Sequence, residues 1–128
     1  MSLKIKPTES ELEILQILWQ KGKATVREIH DQLLQHKEAG YTTTLKIMQI
    51  MTEKGLLNRE LENKAHIYTS AIKENEMQTQ LLDKFIDTAF RGSAMKLIMQ
   101  ALGNHKTSDG ELEEIKKLLE EIKSNNLK

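Results

Sequence analysis

Residues 41–68 constrain this chain more than any other stretch. The run Tyr41-Thr42-Thr43-Thr44 opens a helix that stops at Lys54-Gly55 after about three turns. Two short β-prone runs follow, residues 56–61 and Ala65–Ser70, with Glu62-Asn63-Lys64 between them as a turn. A helix so rich in hydroxyls at its start, followed at once by a hairpin, needs other elements in front of it to bury its inner face.

Those elements carry their own start signals. Thr8 with Glu11, and Thr25 with Glu28, have the capping-box spacing, as does Ser108 with Glu111 further on. The first box opens a helix with Leu12, Leu15, Leu18 and Trp19 as its inner stripe, ending near Lys21-Gly22. Pro7 stands before that cap and ends an extended arm expected over residues 3–6. The second box opens a helix over residues 26–34, with Val26, Ile29 and Leu33 on one face. The third helix is expected over residues 42–54, with Thr44, Met48 and Met51 facing inward and Gly55 as its left-handed terminator. In the hairpin, Leu57 and Leu61 are expected on one side with Arg59 near the other, and Tyr68 as a packing buttress. Two short helices, a hydroxyl-led helix and a hairpin make the order of a winged helix-turn-helix. That layout offers one helix to a DNA major groove and one hairpin to the adjacent backbone.

The outward face of the third helix would carry Thr42, Thr43, Leu45, Lys46, Gln49 and Ile50. Lysine reads guanine edges, glutamine reads adenine, and a threonine methyl or leucine packs on the thymine methyl. Thr42 would also cap the helix and donate to phosphate. In the wing, Arg59, Lys64 and His66 would reach phosphate or the minor groove. The candidate DNA contacts are therefore Thr42, Thr43, Leu45, Lys46, Gln49, Arg59, Lys64 and His66.

Charge does not advertise such a surface. Nineteen basic residues balance nineteen acidic ones in 128 residues. Dividing the chain at Ile72 gives ten basic against nine acidic before it, and nine against ten after. Phosphate binding needs a local excess, so the charges must be sorted by face, with Lys46, Arg59 and Lys64 together. No cysteine is present, which removes disulfides and thiolate metal sites. The four histidines (His30, His36, His66, His105) form no i, i+4 pair, so no metal and no cofactor is expected. No nucleophile–base pair or glycine-rich phosphate loop appears, and an enzyme is not expected. The amino-terminal residues lack a signal peptide's apolar core, and no apolar run is long enough to span a bilayer. A cytoplasmic protein with no membrane insertion is the expectation.

From Glu74 onward the pattern is helical. Met77, Leu81, Phe85, Ile86 and Ala89 share a face, Arg91-Gly92 breaks the run, and Ala94, Leu97, Ile98, Ala101 and Leu102 make a further helix ended by Gly103. A last helix over residues 111–123 carries Leu112, Ile115, Leu118, Leu119 and Ile122, with Asn125-Asn126 fraying. Three thin helices in about 50 residues cannot bury these stripes alone. Interleaving two copies solves the problem and sets two recognition helices one duplex turn apart; the alternative is a monomer whose three-helix mini-core packs on the first domain. Leu81, Phe85, Leu97, Ile98, Leu112, Ile115, Leu119 and Ile122 are the expected dimerisation residues. The fold class is mainly α with a small β-hairpin. A winged helix-turn-helix domain occupies residues 1–72, and a helical C-terminal dimerisation domain occupies residues 73–128.

Several segments, taken together, resemble the penicillinase-repressor family of bacterial transcriptional regulators (the BlaI/MecI/CopY type). They are Glu11-Leu12-Glu13-Ile14-Leu15-Gln16-Ile17-Leu18-Trp19, Ala24-Thr25-Val26-Arg27-Glu28-Ile29, Tyr41-Thr42-Thr43, Lys54-Gly55-Leu56 and Ala65-His66-Ile67-Tyr68. The resemblance implies a homodimeric repressor on an inverted-repeat, double-stranded operator. It also implies release when a membrane metallopeptidase sensor system triggers cleavage in the dimerisation domain. The chain departs from the family in three places. It lacks the cysteine cluster of the copper-responsive members. It has Gln100-Ala101 in the helix where penicillinase repressors have an Asn-Phe scissile pair. It has Ile50 where a late recognition-helix arginine is common. Two other functions fit the same residues: a regulator that senses a small ligand, and a winged-helix adaptor that binds protein without DNA.

Overall fold

The computed structural model describes residues 6–126. Six helices and one hairpin run in the order α1 (Glu9–Lys21), α2 (Val26–Leu33), α3 (Tyr41–Lys54), β1 (Leu57–Glu62), β2 (Ala65–Ser70), α4 (Glu74–Ala89), α5 (Ala94–Asn104) and α6 (Asp109–Asn126). The arm expected over residues 3–6 lies, except for Lys6, outside the described residues. The chain divides into two compact units, with the boundary between Asp83 and Lys84, inside α4.

The first unit is built from its caps inward. Thr8 Oγ1 accepts from the Glu11 N–H at 3.1 Å while the Thr8 N–H donates to Glu11 Oε1 at 2.9 Å. Thr25 and Glu28 repeat the exchange at 3.2 and 2.9 Å. Each box satisfies amides that the first helical turn would otherwise leave bare. With its ends fixed, α1 buries Ile14, Leu15 and Leu18 against Val26, Ile29 and Leu33 of α2 and Met48 and Met51 of α3. Leu12 and Trp19, expected on the inner stripe of α1, are only half-buried, and Ile14 takes the central place. Helix α3 ends where Gly55 adopts φ 86°, ψ 14°. Its N–H and that of Leu56 donate back to the Thr52 and Met51 carbonyls at 3.1 and 2.9 Å. This double closure needs a left-handed residue at Gly55, which a side chain would strain.

The hairpin is antiparallel, in the register Leu57↔Ser70, Arg59↔Tyr68, Leu61↔His66. Asn63 and Lys64 form its two-residue turn with φ of 50° and 68°, the mirror-image turn that matches strand twist. The second strand is also tied to the first helix pair. Tyr68 donates its N–H to the Ala24 carbonyl at 2.8 Å and accepts from the Ala24 N–H at 3.1 Å. Trp19 Nε1 donates to Ser70 Oγ and to the Ile72 carbonyl, each at 3.0 Å. Tyr68 is buried beneath the hairpin, and Met77 of α4 joins the same core.

The second unit has a different character. Ser108 and Glu111 exchange the capping bonds at 3.1 Å in both directions. Arg91 and Gly92 take φ of 51° and 81° and break the helical run, and Ser93 caps α5 through the Lys96 N–H. Neither α5 nor α6 buries a single residue. Two sequence expectations fail here. Helix α5 runs through Gly103 to Asn104 because Gly103, unlike Gly22, Gly55 and Gly92, keeps φ out of the positive region. Helix α6 begins at Asp109 and continues through Asn125 and Asn126.

Candidate nucleic-acid interface

Helix α3 sorts its residues cleanly. Thr44, Met48 and Met51 are buried, while Thr42, Thr43, Lys46, Gln49 and Ile50 are exposed. The exposed positions fall at helical spacing along one stripe. Leu45 departs from expectation: it is half-buried and packs against the core, because the helix turns its flank toward the other two. Thr42 also departs. The N-cap is Gly40, no side chain caps the helix, and Thr42 is the second helical residue.

The wing supplies a second set. Arg59, Lys64 and His66 are all exposed. Arg59 is not on the side opposite Leu57 and Leu61, as expected, because strand periodicity is two and residues 57, 59 and 61 share one face. Its cross-strand neighbour is Tyr68, and that of Leu61 is His66. The four residues therefore lie on one face of the hairpin, with Lys64 at the tip. Leu61 is 65% exposed there.

Ion pairing takes up part of the positive charge. Three ion pairs occur among the described residues: Lys23–Glu62 at 3.4 Å, Lys37–Glu13 at 2.8 Å and Lys54–Glu11 at 2.8 Å. Each neutralises a lysine away from the α3 stripe. Arg27, Lys46, Arg59 and Lys64 have no acid within 4.0 Å among those residues, so a balanced chain still presents uncompensated cations. Glu11 is the exception to the rule that acids sit outside, since it is buried at the start of α1. Burial pushes its carboxyl up, but the hydrogen bond from Lys54, the Thr8 N–H and the Lys54 charge outweigh this and hold it below the ordinary value. The Thr25 N–H bond likewise lowers Glu28.

Sequence reasoning missed the support beneath α3. His30 is buried, and its Nδ1 shares a 3.0 Å hydrogen bond with the Thr44 hydroxyl. Its ring meets Tyr41 edge-on at 5.5 Å, and Arg27 lies over the Tyr41 ring at 4.4 Å. These groups join α2 to the start of α3. The one available signal was period: His30 follows Val26 by one turn and adjoins Ile29 on the buried face.

Of the expected dimerisation residues, Leu81 is half-buried against the core of the first unit. Phe85, Ile98, Leu112, Leu119 and Ile122 are exposed, while Leu97 and Ile115 are half-buried. Gln100 and Ala101 lie exposed within α5. Among the described residues, no helix is long and apolar enough to cross a membrane.

Comparison with known proteins agrees with this architecture. A methicillin resistance regulatory protein MecI of Staphylococcus aureus (strain N315) is 23% identical over 112 residues, covering 88% of this chain and 91% of that protein. A penicillinase repressor of Bacillus licheniformis is 23% identical over 117 residues, covering 91% of each. Among solved structures, the monomeric form of Bacillus licheniformis BlaI in complex with the blaP half-operator superposes with a TM-score of 0.50 at 22% identity. That match covers 56% of this chain and 88% of the BlaI chain, and it shows the fold. The penicillinase repressor family profile matches residues 7–121, nearly the whole length, and the chain belongs to that family of transcriptional repressors.

Proposed function

We propose that this chain is a homodimeric, DNA-binding repressor that reads an inverted-repeat operator. Residues 1–72 form the winged-helix domain and residues 73–128 the helical dimerisation domain. The carrying observation is the α3 surface: a buried inner face backing an exposed stripe of Thr42, Thr43, Lys46 and Gln49, with no acid paired to Lys46 among the described residues. These are groups that hydrogen-bond base edges and phosphates. Leu45, half-buried, contributes at most its outer edge to a thymine methyl. Arg59, Lys64 and His66 hold the flanking backbone. Phe85, Leu97, Ile98, Leu112, Ile115, Leu119 and Ile122 join the two copies.

Each copy reads one half-site, so weakening the dimer lowers operator affinity without touching the reading surface. Cleavage in the C-terminal domain, near Gln100-Ala101, would release DNA by that route, with a membrane metallopeptidase system as the trigger. A protease takes its substrate extended, so α5 must first open locally. Such a repressor works in the cytoplasm.

The test is a binding series with the inverted repeat upstream of its own gene and a scrambled duplex, across salt concentrations. Specific, salt-dependent binding is expected. Equal and salt-independent affinity for both duplexes would favour a protein adaptor. Incubation with the cognate sensor protease separates the release routes: DNA release from an uncut chain would favour ligand control.

A further inference from the structure

We propose that Arg27, at the start of α2, is a clamp for a DNA backbone phosphate, held ready by the Tyr41 ring; this rests on the DNA-binding reading above. Arg27 is exposed and lies over the Tyr41 ring at 4.4 Å. Asp31 stands one helical turn further along α2, where an acid commonly pairs with an arginine. Among the described residues no such pair forms, and Arg27 turns to the aromatic face instead. A guanidinium held over an aromatic face spends no hydrogen bond on the ring, so its N–H edges stay free for another acceptor. Those edges are the part that grips phosphate in two parallel hydrogen bonds.

The platform beneath it is fixed. The Tyr41 ring meets buried His30 edge-on at 5.5 Å, and His30 is bonded to buried Thr44 at 3.0 Å. Three residues of the recognition helix and its neighbour thus hold one flexible side chain in place, which lowers the ordering cost of binding. Tyr41 immediately precedes Thr42 and Thr43, so the cation stands beside the start of the base-reading stripe. Lys64 and Arg59 belong to the hairpin. The recognition helix would therefore be flanked by two separate backbone anchors, one on each neighbouring element.

The test uses the full chain and two fluorescent duplexes, the upstream inverted repeat and a scrambled sequence of equal length, titrated over a salt series. Arg27→Gln should weaken both duplexes alike, by about tenfold at moderate salt. It should also make the salt dependence shallower by about one unit. Arg27→Lys should retain the salt slope but recover only part of the affinity, since an ammonium has no planar fork. Tyr41→Leu should lower affinity with the slope retained, because the charge stays while its platform goes. Arg27 is exposed, so Arg27→Gln should melt close to the parent chain. Unchanged affinity and slope in Arg27→Gln would overturn the clamp and leave the DNA reading standing. A loss confined to the inverted repeat would overturn the phosphate assignment in favour of a base contact. A parent chain with no salt-dependent duplex binding would overturn both proposals.

Discussion

The first unit hides most of its apolar residues and the second displays most of its own. Ile14, Leu15, Ile29, Met48, Met51 and Leu56 are wholly enclosed by their own unit, whereas α5 and α6 enclose nothing. In the second unit Met95 is 74% exposed and Leu119 58%. Capping is equally good in both, with reciprocal Thr8–Glu11 and Ser108–Glu111 bonds. Local sequence signals therefore specify helices in each unit, but only the first also supplies the opposing surfaces that finish a core. A helix whose stripe meets nothing gains little beyond its own marginal stability.

The largest expected effect tests the enclosed side. Ile14→Ala removes a fully buried side chain at the meeting of three helices and should cost about 3–4 kcal/mol of unfolding free energy. Urea denaturation followed by circular dichroism measures it, and a loss under 1 kcal/mol would mean the core is looser than its packing implies. On the open side, Leu119→Ala should leave the melting of the first unit unchanged. In a dimer it removes two side chains, so self-association should weaken by about 3 kcal/mol, seen by sedimentation equilibrium. Unaltered association would mean that α6 meets its partner elsewhere.

Smaller effects probe the proposed reading surface. Lys46→Ala should relax discrimination at one base pair by about 1–3 kcal/mol, whereas Lys64→Ala should weaken every sequence alike. Equal, sequence-blind losses from both would make Lys46 a phosphate ligand. The smallest expected change concerns Glu11→Gln, which leaves the half-exposed Lys54 without its partner and should cost about 1 kcal/mol at neutral pH. Because the folded carboxyl titrates below its unfolded value, its stabilisation is complete above the ordinary carboxylate range. It fades as pH falls through the lowered value. The variant's deficit should therefore shrink toward acid pH, and a deficit that grew instead would reverse this assignment.

Much of the winged helix was legible because its signals are local. Thr8 and Thr25 each announce a cap, Gly55 announces a stop, and Thr44, Met48 and Met51 fall at helical period. The misses have equally physical origins. Thr42 looked like a cap because hydroxyls favour that position, but Gly40 left Tyr41 to start the helix and placed its ring on His30. Gly103 looked like a terminator, yet a helical glycine costs only about 1 kcal/mol and α5 absorbs it. In the sequence Glu11 signals only a capping partner. It precedes Leu15 by one turn, so it lies on the buried stripe, and Lys54, 43 residues later, joins Thr8 in making that position tolerable. The Arg27–Tyr41–His30 stack was invisible for the same reason, since α2 and α3 are neighbours in space through a turn that carries no matching pattern.

The Ala24–Tyr68 bridge makes the helix-and-hairpin unit a caliper with fixed jaws. Because the returning strand is bonded through both its N–H and its carbonyl to the segment just before α2, the hairpin cannot swing without dragging that segment along. Trp19, bonded at the strand's far end, leaves even less play. If α3 and the hairpin straddle the duplex as proposed, a duplex whose groove width differs from what the jaws span would have to yield, and operators would be ranked partly by how readily their sequence bends.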